Sequence, residues 1–221
     1  MSHDDFQVEP IRGLPEHLPE GEEILWQGRP DTWRLAVESL SLYWVAGYFV
    51  LFFGWRALVA GAEVPFWTAI QIGSPFLVMG FVACFLLWLI ALIQARSTVY
   101  TITNRRVAMR IGAALTVTLN LPYRWIGGAK LDLRQGGTGT IALSLLGETR
   151  LSYANTWPHV RPWHMKKTEP ALRCIPDAER VAKILGEAAQ ARLAEPAVRK
   201  VTPAAAPDRT AGRAAMPVPA E

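Results

Sequence analysis

Cysteine is nearly missing from this chain, which has only Cys84 and Cys174. The first sits inside a long apolar run and the second far downstream in polar sequence, so no sensible bridge joins them. A disulfide framework and a paired-cysteine zinc site are thereby excluded, and a reducing compartment is expected. Charge is also missing, but only locally. No charged residue lies between Glu38 and Arg56, nor between Glu63 and Arg96. The second gap exceeds the roughly 20 residues a helix needs to cross about 30 Å of hydrocarbon. The first is at the lower limit, with Arg56 placed to snorkel to headgroups. Two transmembrane helices are expected. Trp44, Trp55, Trp67 and Tyr43 near their ends suit the membrane interface, where a ring can be half wet. A pair of soluble core helices is disfavoured, because little other helical sequence exists to cover the second run.

A cleavable leader is not expected either. Residues 1–34 hold eight acidic and three basic side chains and no apolar core, so an uncleaved N-terminus is expected. The net charge of +4 divides into about −5 for this arm and about +9 for the rest. The arm can fold back on the basic part or reach a basic partner. Basic residues are scattered, and no nucleic-acid partner is expected. Arg29 and Arg34 precede the first run, Arg56 is the one basic residue between the runs, and Arg96, Arg105, Arg106 and Arg110 follow the second. The positive-inside rule then puts both termini in the cytoplasm. The same four arginines can contact anionic lipid headgroups or serve simply as anchors.

Catalytic patterns are absent too. The stretch RQGGTGT (Arg134 to Thr140) lacks the Gly-Lys-Ser/Thr ending of a phosphate loop and is followed by strand-like sequence, so it reads as a hairpin turn. No Ser/His/Asp or Cys/His arrangement has supporting context, and Asp132 and Glu148 fall on strand faces expected to be wet. The chain reads as a non-enzyme.

What is present begins with LPEGEEILWQGRPDTWRLA, Leu18 to Ala36, a short apolar element between turn formers. It is expected to lie along the membrane surface or to dock on the later domain. The IGSP stretch, Ile72 to Pro75, should break the second run, leaving Val64 to Gln71 shallow. After Arg96 the apolar period becomes two. Leu115, Val117, Leu119 and Leu121 share one side of a strand; so do Leu131 and Leu133, and Ile141, Leu143 and Leu145. Turn formers separate these runs, which gives five or more short antiparallel strands. Pro176 and Asp177 then signal a helix, with Asp177 as the expected N-cap and Ala178, Val181, Ile184, Leu185 and Ala188 on one apolar face. The expected fold is an α+β membrane protein: two transmembrane helices, then a PH-like antiparallel β half-barrel with a C-terminal helix. Its parts are an acidic cytoplasmic arm (1–34), a two-helix hairpin (35–96), a cytoplasmic PH-like domain (97–194) and a disordered tail (195–221).

EEILWQGRP before two spans, followed by VYTITNRRVAMR, resembles the bacterial PH-domain membrane proteins. Their first hairpin carries a Tyr-x-(Ile/Leu)-Thr-x-x-Arg pattern, filled here by Tyr100, Ile102, Thr103 and Arg106. Two further stretches, EPIRGLPEHLPEGEEILWQGRP (Glu9 to Pro30) and WPHVRPWH (Trp157 to His164), are similar to the photosynthetic complex assembly proteins of purple bacteria. That resemblance covers residues from about 4 to 193. It implies help in assembling the reaction centre, with its H subunit and the light-harvesting 1 core proteins as partners. It also implies a place in the cytoplasmic or intracytoplasmic photosynthetic membrane.

Within WPHVRPWH, two Trp, two Pro, His159, Arg161 and His164 make a stiff loop of the residue types enriched in interaction hot spots. Trp157 and Trp163 can bury large area, and Arg161 can grip a carboxylate. Trp157, His159, Arg161 and Trp163 are the candidate partner contacts, with Trp26 of the arm as a second element. Two other readings stand beside it: a purely structural loop, or ligation of bacteriochlorophyll magnesium by His159 or His164. No cofactor is expected to be required. Gly47, Gly54, Gly73 and Gly80 allow close helix approach, either in a homodimer or within one chain.

Overall fold

The structure is a computed structural model that describes residues 11–14, 16–112, 116–134, 136–147 and 151–194. The expected disordered tail, Leu115, Gln135, Glu148 and the first residues of the arm lie outside the described set.

The membrane-type segment is a helical hairpin of α2 (Leu42–Gly61) and α3 (Phe66–Ser97). At 1.5 Å per residue these helices run about 30 Å and about 48 Å. Both are long and apolar enough to cross a membrane, and most of their apolar surface faces outward. The expected break at Pro75 does not occur: α3 passes through it. Proline removes the amide that would bond to the Gln71 carbonyl, and the Ser74 hydroxyl donates to that carbonyl instead, at 2.9 Å. The two helices meet at Gly73 and Gly80. A Cβ on Gly73 would lie 3.0–3.1 Å from the Phe53 ring and carbonyl, and one on Gly80 would lie 2.6 Å from Phe49 Cβ. Gly47 and Gly54 have nothing within 4 Å. The glycines of α3 thus serve packing within the chain.

Among the described residues, seven antiparallel strands form two sheets. The first has the order β1 (Ile24–Gly28), β2 (Val99–Thr103), β3 (Arg106–Ile111), β4 (Val117–Pro122); the second has β5 (Ile126–Leu133), β6 (Gly139–Leu145), β7 (Ala171–Ile175). Helix α5 (Ala178–Ala194) packs its Ala178, Val181, Leu185 and Ala188 face into the core between them, with Tyr100, Ile102, Met109, Leu121, Ile141, Leu143 and Leu172. Of the two expectations for the N-terminal arm, the structure shows docking: β1 comes from the arm and pairs with β2.

Strand β5 departs from the expected half-buried alternation. Leu131 and Leu133 are 38% and 48% exposed, on a strand that among the described residues lies at the sheet edge beside β6. Helix α5 does not close fully against it, leaving a groove of about 490 Å³ with Leu131 in its wall.

Strand β7 carries a bulge: Ile141 pairs with Leu172 and Gly139 with Ile175, so β7 has one residue more than β6 across that interval. Cys174 takes the left-handed backbone (φ +52°) that this requires. As a result Leu172 and Ile175 both enter the main core, while Cys174 joins Leu35 and Ala95 in a separate cluster. Leu35 belongs to α1 (Thr32–Glu38), which is N-capped by the Asp31 side chain accepting from the Arg34 amide at 2.8 Å. Helix α1 packs Ala36 against Ala91 and Leu42, and the Asp31 amide donates to the Cys174 carbonyl at 2.8 Å. It clasps the end of the helical hairpin to the β domain.

Candidate functional site

The segment from Tyr153 to Pro170 links β6 to β7. It opens with one short helix, α4 (Tyr153–Thr156), continues through a cis Trp157–Pro158 peptide, and then doubles back on itself. The Arg161 amide donates to the Glu169 carbonyl and the Ala171 amide to the His159 carbonyl, both at 2.9 Å. These bonds close the base of a loop whose tip, Pro162 to Lys167, is exposed.

The base is locked by a buried polar relay. The Arg173 amide donates to Tyr100 Oη at 3.2 Å, Tyr100 Oη lies 2.6 Å from His159 Nδ1, and His159 Nε2 lies 3.0 Å from Thr98 Oγ1. The tautomer that satisfies all three is neutral, with Tyr100 donating to Nδ1 and Nε2–H donating to Thr98. Burial, then the Arg173 charge, holds the His159 pKa down to about 3. Burial also pushes the Tyr100 hydroxyl well above its usual range. Thr98 is the cap residue that ends α3, so the relay ties the loop to the point where the second apolar helix becomes β2.

Arg161 turns back onto the loop, its Nη1 donating to Glu169 Oε2 at 2.9 Å, while Ser144 Oγ donates to the other oxygen at 2.8 Å. Burial by itself would raise the Glu169 pKa, but these two bonds and the charges of Arg161 and Lys130 outweigh it and hold the carboxyl below its ordinary value.

The sequence-predicted contact residues therefore part company. Trp163 is 87% exposed and Trp157 42%. The Trp163 backbone sits at φ +65°, a conformation that costs a bulky side chain about 1–2 kcal/mol. His159 is not a surface contact and not a pigment ligand: it is 1% exposed and both ring nitrogens are engaged. Arg161 is committed to Glu169. His164 is exposed, with Nδ1 donating to the Pro162 carbonyl at 2.9 Å. Trp26, expected as a second contact, is half-buried and packs on the main core as part of β1.

The four arginines also divide. Arg96 is exposed in the last turn of α3. Arg105 and Arg106 lie at the β2–β3 turn, a five-residue strand or about 16 Å along the chain from that helix end. Arg106 Nε donates to buried Glu22 at 2.8 Å, so it holds the arm rather than a headgroup. Arg110, opposite Val99 near the start of β2, is half-buried.

The residues of the Tyr-x-Ile-Thr-x-x-Arg pattern all have structural work. Tyr100 donates to His159, Ile102 fills the core, Thr103 donates to Glu22 at 2.8 Å, and Arg106 pairs with the same carboxylate. Sequence reading missed Glu169 and Arg173. The signal for Arg173 was present: it is the one charged residue inside the otherwise apolar ALRCI strand.

Comparison with known proteins agrees with the fold. The profile of the bacterial PH domain family matches residues 42–189. The chain is also 48% identical over 203 residues to an uncharacterised 23.7 kDa protein in the puhA 5′ region of Rhodobacter capsulatus, across 90% of this chain and 94% of that one. No solved structure matches.

Proposed function

We propose a function from one premise: the chain belongs to the bacterial PH domain family. That is not an enzyme family, and our reading is of a binding protein without catalysis. The chain acts as a membrane-anchored assembly factor of the PuhB type, helping to build the photosynthetic reaction centre, with its H subunit as client, and the light-harvesting 1 core around it. One observation carries this reading. A relative 48% identical over nearly the whole chain is named for the region 5′ to puhA, the reaction-centre H gene.

The geometry supports the same reading. Trp163 offers a large apolar surface at a loop tip whose base is fixed by hydrogen bonds, and a rigid exposed aromatic is what a protein contact uses as an anchor. Helices α2 and α3 are taken as the anchor, crossing the bilayer with both termini on the cytoplasmic side. Their length, their outward apolar faces and the arginines flanking them support this.

The test is the near-infrared absorption of membranes from a strain lacking the chain, compared with its parent and with complemented strains. Reaction-centre and core-antenna bands should fall selectively and recover with the wild-type chain. A Trp157→Ala, Trp163→Ala double variant should accumulate in the membrane yet restore the bands poorly. An unchanged spectrum in the deletion strain would overturn the photosynthetic role and favour a general membrane-anchored PH protein that binds lipid or another membrane protein.

A further inference from the structure

A cleft of about 420 Å³ opens on the outer side of the β5–β6–β7 sheet, below the loop that carries Trp163. Its wall includes four cationic side chains, Lys130, Arg134, Arg161 and Arg173, against two carboxylates, Glu38 and Asp132. Arg134 is matched by Asp132 at 3.1 Å and by Glu38 at 3.8 Å, and Arg161 by Glu169 at 2.9 Å. Arg173 has no such partner. It is only 6% exposed, its Nη1 donates to the Val160 carbonyl at 3.2 Å, its guanidinium also faces the Cys174 thiol, and its buried Nε makes no hydrogen bond. Among the described residues no carboxylate lies within ion-pair distance of it or of Lys130, whose charge acts on Glu169 only from beyond contact.

A buried guanidinium with an idle donor is costly, and a native chain keeps such a group where something completes it. The β7 bulge puts it there: with Cys174 left-handed, Arg173 and Cys174 both turn away from the core, Cys174 toward α1 and Arg173 into the cleft. Guanidinium forks match phosphate oxygens in geometry and charge. We propose that this cleft binds a phosphate-class oxyanion, held by Arg173 and Lys130, and that the headgroup of an anionic phospholipid is its source.

Position favours the lipid over a soluble anion. Glu38, in the cleft wall, ends α1 and lies just before Leu42, where the first apolar helix begins. Helix α1 itself packs against Ala91 and Ala95 near the end of α3. The cleft therefore opens beside the level at which both apolar helices end, and the exposed ring of Trp163 stands in its wall. Lipid as the source rests on α2 and α3 spanning the bilayer; the oxyanion site itself does not depend on the photosynthetic role.

The test uses the full chain purified in neutral detergent. Native mass spectrometry would count retained phosphatidylglycerol against phosphatidylcholine, and a parallel thermal melt would be run with inorganic phosphate. Wild type should retain phosphatidylglycerol in preference. Arg173→Gln and Lys130→Gln should each weaken that retention roughly tenfold, the loss of one charge-assisted hydrogen bond. Lys183→Gln, an exposed cation on α5, should leave it unchanged. Lys130→Gln carries the test if Arg173→Gln fails to fold, because Lys130 is exposed. Stabilisation by inorganic phosphate that requires Lys130, without lipid preference, would keep the oxyanion site and overturn the lipid source. Retention by Lys130→Gln equal to wild type would overturn the site. Neither readout involves photosynthetic membranes, so its failure is separable from failure of the assembly role.

Discussion

Acid should loosen this molecule at one residue, His159. The folded chain holds the imidazole neutral because Nδ1 accepts from Tyr100, Nε2–H donates to Thr98, and the ring is buried away from solvent. Its pKa is held down to about 3, from the ordinary 6.5. The unfolded chain therefore takes up a proton near pH 6.5, while the folded one resists until about pH 3. Between those values the unfolded state binds more protons, so the stabilisation is complete above pH 6.5 and is lost as pH falls through the window. The slope is about 1.4 kcal/mol per pH unit, or about 3 kcal/mol by pH 4.5, set against a typical total of about 5–15 kcal/mol. Glu169 acts only lower down. Its carboxyl is held below the ordinary value, so its contribution persists above pH 4.5 and is lost as pH falls through the lowered value. The assay is a thermal melt of the full chain in neutral detergent between about pH 7 and pH 4.5, for wild type and His159→Gln. The variant should start about 1–3 kcal/mol less stable, from the buried hydroxyl it leaves poorly matched, but should lose the steep dependence above pH 4.5. Parallel curves for the two proteins across that window would refute the reasoning.

Two further outcomes follow from the geometry. Gly80→Leu should weaken the α2–α3 hairpin by about 1–3 kcal/mol, because its side chain would begin 2.6 Å from Phe49 Cβ, whereas Gly47→Leu points into open space and should not; detergent-resistant folding of the two variants distinguishes them. Trp163→Gly should leave stability equal or raise it by up to about 1 kcal/mol, since glycine adopts φ +65° freely and the ring it removes is exposed. Loss of reaction-centre bands in that more stable variant would separate a contact role from a structural one.

The larger features were legible because they depend on composition over many residues. Two uninterrupted apolar runs became α2 and α3, and period-two alternation in Ile141, Leu143 and Leu145 became a buried strand face. The misreadings came where one local partner decides the outcome. Pro75 did not end a helix, since Ser74 supplies the missing donor. Leu131 and Leu133 alternate correctly but stay exposed, and α5 leaves a groove over Leu131 in place of a covering layer. His159 looked like a surface ligand because it lies between two prolines and two tryptophans; its burial depends on Thr98 and Tyr100, about sixty residues earlier in the chain. The family pattern was read correctly as a mark of fold, yet its Arg106 and Thr103 gain meaning only from Glu22 in the arm.

Three distant parts of the chain converge where α3 ends. Helix α1 arrives from the arm through Leu35 and Ala36, β7 arrives through the bulged Cys174, and the Trp163 loop arrives through His159. The Cys174 thiol, pushed up to about 12 by burial and then by the Glu38 charge, stays protonated, packs beside Leu35 and Ala95, and donates to Glu38 Oε2 at 3.8 Å. A domain joined to its helices by a single connection could swivel about Thr98. With α1 clasped across that joint and His159 bonded to Thr98 itself, swivelling would have to break buried contacts on two sides at once. The exposed Trp163 and the Arg173 cleft are thus held in fixed register with the apolar helices. If those helices span a bilayer, a client or a headgroup meets both features at a fixed height above its surface.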